Sequence, residues 1–182
     1  MIKFVTSNEH KYIEVERAFE KNSLTISWKK QKYEEIQAED NEIICRDSCI
    51  KLSAIIEQPY FIDDTGFYIQ ELNGFPGPYA SYVQDTLGNS RIIALSAGSK
   101  AYFKTVISLM HNNKVYQFIG ILSGKIANKE NGENKFGYDP LFIPDGYKKT
   151  FAELSIEEKN TISHRGKALE NLINFLVSNN IK

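Results

Sequence analysis

The stretch AYFKTVISLMHNNKVYQFIGIL, residues 101–122, holds two long β-rich runs, 101–110 and 114–122, on either side of a polar triplet. Two such runs around His111-Asn112-Asn113 read as antiparallel strands joined by a hairpin turn. The chain before this hairpin reads differently. Residues 2–6 form a short apolar run expected to be a buried strand. The residues after it put Tyr12, Val15, Ala18 and Phe19 on one helical face. Thr6 and Glu9 have the spacing of a capping box. Residues 24–28 look like a second strand, and over 41–58 Cys45, Cys49, Leu52 and Ile56 form the apolar stripe of a second helix. Residues 60–63 read as a strand that stops abruptly in Asp63-Asp64-Thr65-Gly66, with extended structure resuming over 67–72. Alternating helices and strands favour parallel pairing, whereas the hairpin is antiparallel. The expected fold is therefore α/β, a mixed β-sheet flanked by helices.

Further along, residues 73–79 carry Gly74, Pro76, Gly77 and Pro78 and must be a loop. A short helix is expected over 90–95, a polar loop over 128–135, and a strand over 141–143 before the turn Pro144-Asp145-Gly146. The chain closes on a helix capped by Ser163, with Leu169, Leu172 and Leu176 on its apolar face.

A chain of 182 residues suits one domain or two tightly joined lobes, and we take 1–182 as a single functional domain. At that size roughly 70% of the unfolded surface can be buried. With 42% hydrophobic and 25% charged residues, neither a disordered chain nor a fibre is indicated. The formal net charge of −1 supplies no global basic field, which argues against nucleic-acid or acidic-membrane partners and makes any anion binding local. Cys45 and Cys49 give no disulfide framework, as in a reducing compartment. The apolar start is broken at once by Ser7-Asn8-Glu9-His10-Lys11, so it reads as neither signal peptide nor membrane span, and a cytoplasmic protein is expected.

Four segments have the chemistry of a site. The first is Thr6-Ser7-Asn8-Glu9-His10-Lys11, where a strand turns into a helix. Free N–H groups and the positive dipole end suit a phosphate there, and Lys11 returns one turn later; plain capping with a solvated lysine is the bland alternative. The second is Asp63-Asp64-Thr65-Gly66. Adjacent carboxylates repel, and in a strand they would point to opposite faces, so only one need enter a site, where a hard divalent cation would justify it. A simple turn is the alternative. Glu39 is by itself an acidic helix entry, and gains weight as a second metal ligand beside Asp64. The third is Phe136-Gly137-Tyr138-Asp139-Pro140, whose rings could stack on a base or simply fill the core. The fourth, residues 158–167, gathers Lys159, His164, Arg165 and Lys167 at a helix start. Cations are unfavourable there unless an anion or acceptor is near; a solvated surface helix is the alternative. Cys45 and Cys49 read as a packed helix face, and Trp28 as core or interface.

In this order and spacing, these segments resemble the inosine triphosphate pyrophosphatase family, which clears non-standard purine nucleotides such as ITP, dITP and XTP. Gln37-Ala38-Glu39, Gly74-Phe75-Pro76-Gly77-Pro78-Tyr79 and Ser163-His164-Arg165-Gly166-Lys167-Ala168-Leu169 extend the resemblance over almost the whole chain. It implies an elongated mixed sheet, two lobes with an active-site cleft between them, a homodimer and a magnesium cofactor. By matching positions, Thr6, Ser7, Asn8, Glu9, His10 and Lys11 would hold phosphates. Glu39 and Asp64 would serve the metal, with Asp64 also the catalytic base. Thr65, Phe136, Gly137, Tyr138, Asp139, Lys159, His164 and Arg165 would contact substrate. Donors from His164 or Arg165 would pair with a 6-oxo purine and leave adenine unpaired. The chain departs from the family at Glu133-Asn134-Lys135, where a glycine-rich run is common. The competing readings are a related house-cleaning pyrophosphatase preferring pyrimidine or modified nucleotides, and a nucleotide-binding regulator without hydrolysis.

Overall fold

The protein is described by a computed structural model that covers residues 1–133 and 136–181. Strands β1 (Ile2–Val5) and β2 (Ile26–Lys29) lie on either side of helix α1 (Glu9–Lys21) in the chain, and helix α2 (Asn41–Leu52) leads to strand β3 (Tyr60–Ile69). The two-residue strand β4 (Pro76–Gly77) is followed by helices α3 (Ala80–Thr86) and α4 (Asn89–Ser96). Then come the long strands β5 (Lys100–His111) and β6 (Lys114–Ile126), strand β7 (Phe142–Pro144), and helices α5 (Ile156–Ile162) and α6 (His164–Ser178). The sheet order is β2-β1-β3-β5-β6-β7, with β4 paired to β3 off this path. β1 runs parallel to both β2 and β3, whereas β4 on β3 and β7 on β6 are antiparallel. The mixed α/β sheet expected from the sequence is therefore present. Asn112 and Asn113 close the β5–β6 hairpin with φ of 50° and 59°, a left-handed pair that asparagine tolerates.

The chain divides into two compact units. The first comprises 1–64, 105–120 and 165–182; the second comprises 65–104 and 121–164. The first unit has two cores. In one, Phe4, Val15, Phe19 and Phe61 meet Leu169, Leu172 and Leu176 of α6. In the other, Cys45, Cys49, Leu52 and Ile56 meet Val5, Ile62 and Val106. The α2 stripe read from the sequence is thus a packed face, although the helix itself ends at Leu52, short of residue 58. Ser53 turns back there, its hydroxyl donating to the Ile50 carbonyl at 2.6 Å. The second unit is built on Phe67, Phe103, Phe142, Phe151 and Tyr138. Among the described residues, no helix is long and apolar enough to cross a membrane.

Three expectations are corrected. β3 does not stop at Asp63 but runs through Asp64, Thr65 and Gly66 to Ile69. Its carboxylate at 63 is buried with cations around it, and at Gly66 a Cβ would lie 2.6 Å from the Tyr68 ring, so this is a close approach within a strand rather than a turn. Helix α1 is capped by Asn8, whose Oδ1 accepts from the Lys11 N–H at 3.2 Å; Thr6 is not the cap. Lys159 belongs to α5, a separate helix with its own Ser155–Glu158 capping box, so the four cations do not share one helix start.

Candidate active site

The anion-binding turn expected after β1 is tightly held. Thr6 is buried. Its N–H donates to the Lys29 carbonyl at 3.2 Å, its carbonyl accepts from the Trp28 indole N–H at 2.9 Å, and its hydroxyl oxygen accepts from the Asn8 N–H at 3.2 Å. Ser7, Glu9 and His10 are exposed around the start of α1. Lys11 does not reach into solvent. Its ammonium donates to Asp63 Oδ1 at 3.0 Å, and its side chain is 21% exposed.

Asp63 is the centre of this unit's charge. The side chain is 1% exposed, and its second oxygen, Oδ2, accepts from Arg165 Nε at 3.1 Å. Arg165 Nη1 is in turn bound to Glu14, which stands on α1 one turn beyond Lys11. Burial alone would raise the Asp63 carboxyl pKa, but Lys11 and Arg165 outweigh it and lower the value. For Arg165 burial pulls the guanidinium down, and Asp63 with Glu14 more than restores it. The negative field extends to Glu35, which is exposed at the surface but whose carboxyl is raised by partial desolvation first and by Asp63, against the lowering effect of Lys11. Two donors of Arg165 are therefore engaged by protein carboxylates, a role the sequence reading did not foresee.

Asp64, one residue on, faces away from that cluster as strand alternation requires. It is half-buried, its backbone carbonyl accepts from Asn41 Nδ2 at 3.4 Å, and its Oδ2 is shielded from solvent. Glu39 is exposed in the segment before α2. Among the described residues, no group of three or more His, Cys, Asp or Glu side chains is arranged to hold a metal. A magnesium ion does not need one. It commonly takes one or two carboxylates and completes its shell with water and substrate phosphates, and the shielded carboxylate oxygen of Asp64 is of the hard oxygen type it prefers.

In the second unit, Asp139 Oδ2 accepts from the Lys159 ammonium at 2.5 Å. The same ammonium lies 4.9 Å from the centre of the Phe151 ring and 5.8 Å from that of Phe136. Phe136 is 45% exposed, whereas Tyr138 is a core residue: its ring stacks on Phe67 and its hydroxyl donates to the Ala80 carbonyl at 2.7 Å. Gly137 takes φ +58°, and its carbonyl accepts from Gln84 and Asn89 at 2.7 and 3.1 Å. The His164 ring is buried and stacked on Phe103 at 4.7 Å. Thr65 is half-buried in β3. Of the departing segment, Glu133 is exposed, and Asn134 and Lys135 lie outside the described residues. The supports Glu14, Trp28, Gln84 and Asn89 lie outside the segments read as site chemistry, whereas Asp63 stands in the second of them.

Comparison with known proteins agrees along the whole chain. The model of the Ham1 family matches residues 2–175. The dITP/XTP pyrophosphatase of Pyrococcus horikoshii is 44% identical over 179 residues, covering 97% of this chain and 96% of the relative. That of Thermococcus kodakarensis is 41% identical, covering 97% of each. Among solved structures, a HAM1 protein from Coxiella burnetii superposes with a TM-score of 0.80 at 29% identity, covering 98% of this chain and all of that one. A nucleoside-triphosphatase / dITP/XTP pyrophosphatase from Mycobacterium abscessus gives 0.74 at 27% identity, covering 97% and 100%.

Proposed function

Because this chain belongs to the Ham1 family, we propose that it is a hydrolase that converts ITP, dITP and XTP to the monophosphate and pyrophosphate. The full-length similarity to dITP/XTP pyrophosphatases carries the reading. The turn at the start of α1, with Lys11 beside it, supports it chemically.

In this mechanism Asp64 accepts a proton from the water that attacks the α-phosphorus. A bond forms from the water oxygen to phosphorus, the bond to the β-phosphate bridging oxygen breaks, and pyrophosphate leaves with the electron pair. The N-terminus of α1 and Lys11 stabilise the departing charge. Asp64 and Glu39 would hold a magnesium ion, which when bound would neutralise charge on the phosphate oxygens. His164 and Arg165 favour a 6-oxo base by donating to it, with Arg165 oriented by Asp63 and Glu14. Phe136, Asp139 and Lys159 form the remaining substrate contacts. The family resemblance also supports a homodimer, which light scattering of the purified protein would measure, and the absence of a basic surface field agrees with free nucleotides rather than nucleic acid as ligands.

Product analysis with magnesium over ITP, XTP, dITP, GTP, ATP, UTP and dTTP tests this directly. Monophosphate and pyrophosphate from the inosine and xanthine substrates, abolished by EDTA, are expected. Turnover chiefly of UTP or dTTP would overturn the base assignment, and binding without turnover would make the protein a regulator. Asp64→Asn should lower kcat by about 10²-fold or more with the fold intact; wild-type turnover in that variant would sink Asp64 as the base.

A further inference from the structure

We propose that Trp28 is a positioning residue that clasps the phosphate-binding turn, and that its fluorescence reports the turn's occupancy. The inference rests on the reading that residues 6–11 hold phosphate. β1 ends at Val5, whose partner in β2 is Lys29. Thr6 is the first residue beyond β1, so its carbonyl no longer belongs to the regular ladder. The indole N–H of Trp28 supplies a donor to it at 2.9 Å, while the Thr6 N–H still reaches the Lys29 carbonyl. Thr6 is thus held on both sides of its backbone by two consecutive residues of that edge strand.

The same indole also grips the far side of the turn. Tyr12, on the first turn of α1, stacks flat on it, with ring centres 4.7 Å apart and planes 10° from parallel. The Tyr12 hydroxyl donates to Glu16 at 2.6 Å, and that bond, with burial, pushes the phenol up to about 12. The Lys30 ammonium lies 5.3 Å from the indole centre. One side chain therefore contacts the last residue before the turn and the first helical turn after it. Only Ser7 and Asn8 lie between β1's extension at Thr6 and the start of α1. An anion bound at a helix N-terminus is held by N–H groups that must converge on it, so fixing both ends of a two-residue connection removes ordering cost from binding. This is a reason for a tryptophan here beyond packing, because neither phenylalanine nor leucine can donate to Thr6.

Trp28 is the single tryptophan of the chain, so its emission has one source. Magnesium pyrophosphate titrated into the wild-type protein is expected to change that emission saturably, at the concentration where calorimetry shows binding. Trp28→Phe keeps a stacking ring and removes the donor. It should raise the pyrophosphate Kd and the KM for ITP about fivefold while kcat stays within twofold, since one modest hydrogen bond is lost. Tyr12→Leu, which keeps the indole bond, should give a smaller rise. Unchanged Kd and KM in Trp28→Phe, a silent emission despite calorimetric binding, or a fall of kcat in step with Tm would each overturn the clasp. If Lys11→Ala binds pyrophosphate as tightly as wild type, the phosphate reading of the turn fails instead.

Discussion

Asp63 and Asp139 are both buried carboxylates with a lysine on one oxygen, yet they are built differently. Asp63 binds two cations on its two oxygens, Lys11 from α1 and Arg165 from α6, and Arg165 is shared with Glu14. Asp139 has the ion pair to Lys159, and that lysine rests against the rings of Phe151 and Phe136. In the first unit charge is balanced by charge around Asp63, which cannot be removed without leaving Lys11 and Arg165 beside an empty buried position. In the second, the aromatic faces give the cation a partial substitute for its carboxylate. The first arrangement fixes geometry, and the second leaves the lysine tolerant of a change of partner, which suits the substrate contact proposed for it.

The largest effect should follow from Asp63→Ala. It leaves two cations around a buried, empty position, and removing one member of a buried pair costs about 3–5 kcal/mol. In a chain of this size that corresponds to a fall in Tm on the order of 10 °C. Calorimetry of Asp63→Ala beside Asp139→Ala measures the contrast, and equal losses would break it.

Arg165→Lys comes next. A single ammonium cannot span Asp63 and Glu14 as the guanidinium does, so about 1–3 kcal/mol should be lost in urea unfolding. A variant as stable as wild type would mean that one of the two contacts contributes nothing. Asp139→Asn should cost less, about 1–2 kcal/mol, because the amide oxygen still accepts from Lys159 and the rings remain.

This contrast shows where sequence reading succeeds and where it stops. The hairpin, the α2 stripe and the apolar face of α6 depend on neighbours within a few residues, and all three were legible. The continuation of β3 through Asp63 and Asp64 was not. Two carboxylates and a glycine argue locally for a turn, and the groups that make a buried Asp63 tolerable are 52 and 102 residues away. Helices α3 and α5, each of 7 residues, are too short to show a convincing period, although Ser155 and Glu158 offered a capping box. For the candidate site, residue types pointed to phosphate and metal chemistry. They did not reveal that Lys11 and Arg165 share one buried anion; of the two readings open for the Phe136-Gly137-Tyr138 rings, Tyr138 takes the core one.

Glu14→Gln is the smallest change and decides how far the first cluster extends. The Glu14 side chain is 35% exposed, against 1% for Asp63, so solvent already screens its attraction to Arg165. The glutamine oxygen can still accept from Nη1. A loss below about 1 kcal/mol is expected, with Asp63 continuing to neutralise the guanidinium. If unfolding instead showed a loss as large as that of Asp63→Ala, Glu14 would be as necessary as Asp63. The cluster would then be one four-group unit rather than a carboxylate with two cations and an outer partner. Combining Glu14→Gln with Arg165→Lys separates the cases, since the double variant should lose little more than Arg165→Lys alone if Glu14 acts only through that arginine.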